Sequence, residues 1–149
     1  MATDENKGWN NGPSMWASLC HFSALLGAVW WIPVKGMWIP CGQIIAPLGV
    51  WLIKRKTSPF VDLSGRMSLN FQITITALVI LLIFLLPGFL KLIAGWSLVI
   101  FDLFCIIRAG VHTSEGELYR YPIPTIPLFR TSALWELLSV LESKGQKPH

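Results

Sequence analysis

MSLNFQITITALVILLIFLLPGFL, residues 67–90, runs for 24 positions without a charge, and its second half holds ten consecutive apolar residues from Ala77 to Leu86. A helix that crosses a bilayer needs roughly 20 apolar residues at about 1.5 Å each, and soluble cores seldom sustain such a run. The stretch therefore predicts a membrane-spanning helix. Its first half carries Ser68, Asn70, Gln72, Thr74 and Thr76, alternating with apolar residues as a strand would. A strand is disfavoured because no second alternating segment exists to pair with it or to close a barrel. On a helix these residues form two stacks, Ser68-Gln72-Thr76 and Asn70-Thr74, on nearly opposite faces, so the first turns should meet protein or headgroups on both sides.

Working outward, three further apolar segments appear. Trp16 to Ile32 is free of charge, with Pro13 and Ser14 ahead of it as a helix start. Pro33, Lys35, Gly36 and Pro40 break it and turn the chain back into a second segment, about Cys41 to Ile53, so the two predict a hairpin. Pro47 removes a helical donor inside the second segment, which leaves a re-entrant hairpin open beside full spanning; length favours spanning. The Lys54–Arg66 stretch, rich in basic residues and turn formers, predicts a cytoplasmic loop. After a turn at Pro87, Gly88 and Lys91, a fourth segment runs from Leu92 to Ile107, interrupted only by Asp102 and ending at Arg108. Ala109 to Pro127 should be irregular, with Pro122, Pro124 and Pro127 in it. Leu134, Leu137, Leu138 and Leu141 then restore a helical period within residues 132–143.

The expected fold is an all-α integral membrane protein: a bundle of four apolar helical segments, the first two a hairpin, and a C-terminal amphipathic helix. Residues 1–15 read as a flexible tail, 16–110 as the bundle, and 111–149 as a cytoplasmic extension. The lack of a basic start before an apolar stretch argues against a signal peptide, so targeting falls to the apolar segments. A composition of 53% hydrophobic and 13% charged residues, against roughly 25% charged in soluble domains, agrees with lipid as the solvent. The net charge of +4 does not indicate nucleic acid, because the basic residues sit at segment ends and form no groove. Ten of the twelve fall on one predicted side, with Lys35 and Lys91 alone on the other, which places both termini of a multi-pass protein in the cytoplasm. Trp16 and Trp51 mark the inner boundary, and Trp30, Trp31, Trp38 and Trp96 the outer one.

Chemistry is sparse. No G-x-S-x-G, H-E-x-x-H, G-x-x-x-x-G-K-[ST] or G-x-G-x-x-G occurs, and no catalytic residue, cofactor or metal site is expected. Cys20, Cys41 and Cys105 lack metal-ligand spacing and read as packing residues, and His21 as a hydrogen-bonded neighbour of another helix. The intramembrane polar groups are Asp102, Asn70, Gln72 and Gln43. Asp102, the only acid in an apolar segment, needs a partner from another segment, and Arg66, Lys54 and Arg55 are the basic candidates. Leu134, Trp135, Leu137, Leu138 and Leu141, together with Trp30, Trp31 and Trp38, offer contact surface for a partner.

Taken together, W-A-S-L-C-H-F-S-A-L-L-G (16–27), I-I-A-P-L-G-V-W-L-I-K-R (44–55), S-P-F-V-D (58–62), L-N-F-Q-I (69–73), F-D-L (101–103) and Y-R-Y-P (119–122) resemble a family of small bacterial membrane proteins of unknown function, itself similar to the import-channel component of the chloroplast inner envelope. The resemblance covers about Trp16 to Ile123 and implies a helical, multi-pass protein of the bacterial inner membrane with a remote link to protein import; fold-level analogy does not transfer an activity. The tryptophan-rich connection Trp30 to Cys41 and residues 124–149 depart from that pattern. Besides the bilayer, the expected partner is a larger membrane complex or further copies of the chain. Segments of 16 or 17 residues reach only about 24–26 Å, short of a ~30 Å hydrocarbon core, and association relieves such a mismatch. The expected function is that of a non-enzymatic accessory or assembly subunit, with a small pore or protein-translocation component as the alternative.

Overall fold

The computed structural model describes residues 12–27, 31–34, 37–40 and 42–132, together with Glu136, Val140 and Ser143. In chain order these form α1 (Gly12–Gly27), β1 (Trp31–Val34), β2 (Met37–Pro40), α2 (Gly42–Lys54), α3 (Pro59–Leu85) and α4 (Gly88–Ser114). The fold is helical with one exception to the all-α expectation. β1 and β2 pair antiparallel, Trp31 opposite Pro40 and Val34 opposite Met37, and project from the point where α1 hands over to α2. The first predicted segment is thus not one helix to Ile32: α1 is described as far as Gly27, and Trp31 and Ile32 belong to β1. Each proline inside a helix removes a hydrogen bond and crowds the preceding turn, so Pro33 and Pro40 disfavour a helix here, whereas in a two-stranded ribbon every strand is an edge and tolerates them.

Helix α3 begins eight residues before the predicted loop ends. Ser58 is extended (φ −160°, ψ 144°) and its hydroxyl accepts the Phe60 N–H at 3.2 Å, while Pro59 takes the first helical position, where no donor is missed. Asp62 lies in the first turn and pairs with Arg66 four residues on at 2.9 Å. Asp62 and Arg66, two of the charges taken for a loop, thus lie one turn apart on a helix, and only residues 55–58 separate α2 from α3. Gly65, also read as a turn former, is helical; a Cβ there would come within 2.3 Å of Trp51 Cδ1, so its absence lets the indole lie flat on α3. Pro87 and Gly88 (φ +48°) make the turn into α4.

α4 passes beyond Arg108 and closes at Ser114. Gly116 (φ +83°) reverses the chain, and the Gly116 and Glu117 amides donate to the Thr113 and His112 carbonyls at 3.1 and 3.0 Å. At 27 residues each, α3 and α4 are about 40 Å long, so the supposed shortfall does not apply to them. Among the described residues they are the two helices long and apolar enough to cross a membrane. α1 and α2, with 16 and 13 residues, reach about 24 and 20 Å. Four spanning segments therefore reduce to two of sufficient length, with α2 continuing through Pro47.

Packing divides the molecule into a base and an arm. In the base, Ala17, Cys20, Trp51, Phe60, Val61 and Leu69 form one apolar cluster, and Ala24, Phe71, Ile75, Cys105, Ile106 and Ala109 form another. No residue from 76 to 104 is buried. This arm, the second half of α3 and the first of α4, displays Phe84 (75% exposed), Phe89 (72%), Ile100 (65%) and Trp96 (62%). A contiguous apolar surface of this kind fits lipid and not water. Of the predicted amphipathic helix, Ser132, Glu136, Val140 and Ser143 are helical, while Leu134, Trp135, Leu137, Leu138 and Leu141 lie outside the described residues, as do Trp30, most of the N-terminal tail and Cys41. Trp31 is in β1 and Trp38 in β2.

Candidate functional site: a polar seam on helix α3

Both polar stacks of α3 meet protein, and they meet different parts of it. In the first, Ser68 Oγ donates to the Cys20 carbonyl of α1 at 2.9 Å, and Gln72 Nε2 donates to Asp102 Oδ1 of α4 at 3.2 Å. Gln43 Nε2 of α2 donates to Thr76 Oγ1 at 3.0 Å. One row of side chains, spaced four residues apart, thus ties α3 to every other helix of the base.

The second stack holds a segment with no helix or strand of its own. Residues 121–131 run as a strap along α3, and Pro122, Pro124 and Pro127 deny it three backbone donors. Side chains of α3 satisfy its peptide groups instead. Asn70 Nδ2 donates to the Phe129 carbonyl at 2.8 Å while its Oδ1 accepts the Phe129 N–H at 2.9 Å. Thr74 Oγ1 accepts the Ile126 N–H at 2.8 Å, and Arg66 Nη1 donates to the Arg130 carbonyl at 3.0 Å. Between strap and helix lies an open cavity of about 500 Å³, lined among others by Met67, Asn70, Arg120 and Thr125.

The partner of Asp102 is a hydrogen-bond donor from another helix, Gln72, and not one of the three basic candidates. Arg66 is held by Asp62 through two hydrogen bonds of 3.1 and 2.9 Å, with Trp51 Nε1 donating to the same carboxylate at 2.7 Å. Lys54 Nζ lies 4.0 Å from the Trp16 ring centroid, and the Arg55 guanidinium 5.2 Å from that of Trp51. All three cations gather near the level of Asp62, ten residues and so about 15 Å along α3 from Gln72. Gln72 is fully buried, and its Oε1 has no hydrogen-bond partner among the described residues. Asp102→Asn, whose amide oxygen still accepts from Gln72, is expected to shift stability by less than about 1 kcal/mol, whereas Gln72→Leu, which strands the carboxylate, should cost about 1–3 kcal/mol. Thermal unfolding in detergent measures both; a larger loss for Asp102→Asn would mean that the charge itself is needed.

An aromatic column links the strap to the end of α4. The Phe71 and Tyr121 rings stack at 3.9 Å and 8°, Tyr119 meets Tyr121 edge-on at 5.3 Å, and His112 stacks on Tyr119 at 5.5 Å. Tyr121 OH lies 2.8 Å from His21 Nδ1. Burial pushes the Tyr121 phenol well above its ordinary range, so it stays protonated and able to donate. Among the described residues, the grouping with metal-ligand character is here and not in the seam: His112, Glu115 and Glu117, around the Gly116 reversal. His112 lies beyond the apolar segments, and H-T-S-E-G-E (112–117) is the group's one local signal in the sequence.

Residues 13–129 match the profile of the magnetosome magnetite crystal formation protein family, MamF/MmsF. The chain belongs to this family. The earlier resemblance, to small bacterial membrane proteins similar to an import-channel component, is overturned by that match, which spans every motif on which it stood. Short apolar motifs broken by a proline or a single polar residue answer the packing needs of many small helical membrane proteins, so their joint occurrence misled. The Trp30–Cys41 connection, taken as a departure from pattern, lies inside the MamF/MmsF match, as does the strap as far as Phe129. No curated protein and no solved structure matches the chain.

Proposed function

We propose that this member of the MamF/MmsF family is a non-enzymatic membrane protein that takes part in forming magnetite crystals as an accessory or assembly component. The observation that carries the reading is the family match over residues 13–129. The seam supports a structural role for the intramembrane polar groups: Ser68, Asn70, Gln72, Thr74 and Thr76 all bond to protein groups, where a pore would need them along an open path. α3 and α4 would cross the bilayer as a hairpin, with the base at the cytoplasmic side. Among the described residues, Lys54, Arg55, Lys56, Arg66, Arg108, Arg120 and Arg130 lie toward the base and Lys91 alone lies near the arm tip, in accord with the positive-inside bias. Contacts with a larger assembly or with other copies would use the apolar arm and residues 132–143.

The test is genetic. In a magnetite-forming host lacking its own copy, crystals imaged by electron microscopy should change in size or shape, and expression of this chain should restore them. Crystals of unaltered number, size and shape in the deleted strain would overturn the reading.

A further inference from the structure

We propose that His112, Glu115 and Glu117 bind divalent iron as a dissolved ion at the C-terminal end of α4. The choice of iron rests on the role in magnetite formation proposed above, since magnetite is an oxide of Fe(II) and Fe(III); the site itself rests on geometry. One ligand atom from each residue lies within 4.8 Å of the other two, and His112 Nδ1 is 2.9 Å from Glu117 Oε2. Ligands at about 2.1 Å from a shared ion stand roughly 3–4 Å apart, so a small rotation of the two glutamates closes the set. Both glutamates are exposed, and Glu117 already rests on His112.

Three further features favour a cation. First, the imidazole is anchored to the core while the Glu117 carboxylate rests on the imidazole itself: His112 stacks on Tyr119, which meets Tyr121, which is fixed in the core by Phe71 and His21. A positioned nitrogen ligand with two adjustable oxygen ligands is a preorganised site that still admits a hydrated ion. Second, the carboxylates sit at the pole of a 27-residue helix where the macrodipole is negative and anions are disfavoured. Among the described residues neither glutamate has a Lys or Arg in ion pairing, and Arg108, one turn earlier, is turned to the Phe104 ring at 5.7 Å. An ion offsets this accumulation of negative charge. Third, the ligand set is selective. Imidazole with carboxylate suits first-row transition ions such as Fe(II), whereas Mg(II) and Ca(II) prefer oxygen alone. Three protein ligands leave the remaining positions to water, which suits an ion that arrives and leaves.

Equilibrium dialysis of the purified full-length protein in detergent against anaerobic ferrous sulfate, with excess Mg(II) present, tests the site. About one Fe(II) should bind per chain, and His112→Ala combined with Glu117→Gln should weaken binding by at least about tenfold. Glu136→Gln, an exposed acid elsewhere, should leave it unchanged, and thermal unfolding verifies that each variant folds. Mn(II) examined by electron paramagnetic resonance should show a broadened spectrum in the parent chain and the free-ion spectrum in the double variant. Absence of Fe(II) binding, equal binding by parent and double variant, or full displacement by Mg(II) would each overturn the proposal. Crystal dimensions in cells, which test the wider role, are a separate measurement, so either claim can fail without the other.

Discussion

Gly27→Ala is expected to lower stability by about 3 kcal/mol, the upper end of the cost of forcing a methyl group into a packed interior. A Cβ at Gly27 would lie 1.9 Å from Gly42 C and 2.0 Å from Gln43 N, and one at Gly42 would lie 2.4 Å from Gly27 O. Every contact is with backbone, so no side-chain rotation relieves it; α1 and α2 must separate. Neither glycine has a positive φ, so the demand is for space and not for conformation. Gly42→Ala should behave alike. Gly49→Ala, on α2 with nothing within 4 Å, should be neutral or stabilising by up to about 1 kcal/mol through helix propensity. Thermal unfolding in one detergent ranks the three, and a Gly27 variant as stable as the Gly49 variant would refute the close crossing.

Asn70→Ala should cost about 2–3 kcal/mol and release the strap. The substitution removes both hydrogen bonds to Phe129 at once and leaves its N–H and C=O without protein partners in a half-buried position. Hydrogen exchange should accelerate at Phe129 and Ile126 more than in α4, and protease should gain access between residues 121 and 131. Asn70→Asp separates the two bonds: the carboxylate still accepts the Phe129 N–H but opposes the Phe129 carbonyl. Intermediate protection is expected. Exchange at Phe129 identical in parent and Asn70→Ala would show that the strap is held by something else.

The two faces of α3 were legible in the sequence because side chains four apart share a helix face, whatever the fold around them. Their partners were only partly so. Gln72 meets Asp102, two polar residues in apolar surroundings, a pairing that composition alone invites. Asn70 meets the backbone of Phe129, and a peptide group 59 positions away leaves no mark in composition. Ser58–Arg66 misled for a related reason: S-P and S-G are turn formers by frequency, yet Ser-Pro also starts a helix, and only the Trp51 ring lying over Gly65 decides between them. The hairpin of β1 and β2 was read as a break because Pro33 and Pro40 forbid helix without specifying strand. His112, Glu115 and Glu117 converge only through the reversal at Gly116.

The strap also sets an order on the making of the protein. Arg66, Asn70 and Thr74 leave the ribosome long before their partners, the Asn70 amide preceding Phe129 by 59 residues. At about 5–20 residues per second that interval is roughly 3–12 s. Throughout it the first half of α3 presents one face of polar groups without their protein ligands, so it cannot settle in hydrocarbon, while the arm behind it can. On the topology proposed above, the arm would enter the bilayer first and the base would close last. On that topology a chain cut short before Ile126 would hold the α3–α4 hairpin in the membrane beneath an unfinished polar surface, which is the part that a membrane quality-control protease would meet.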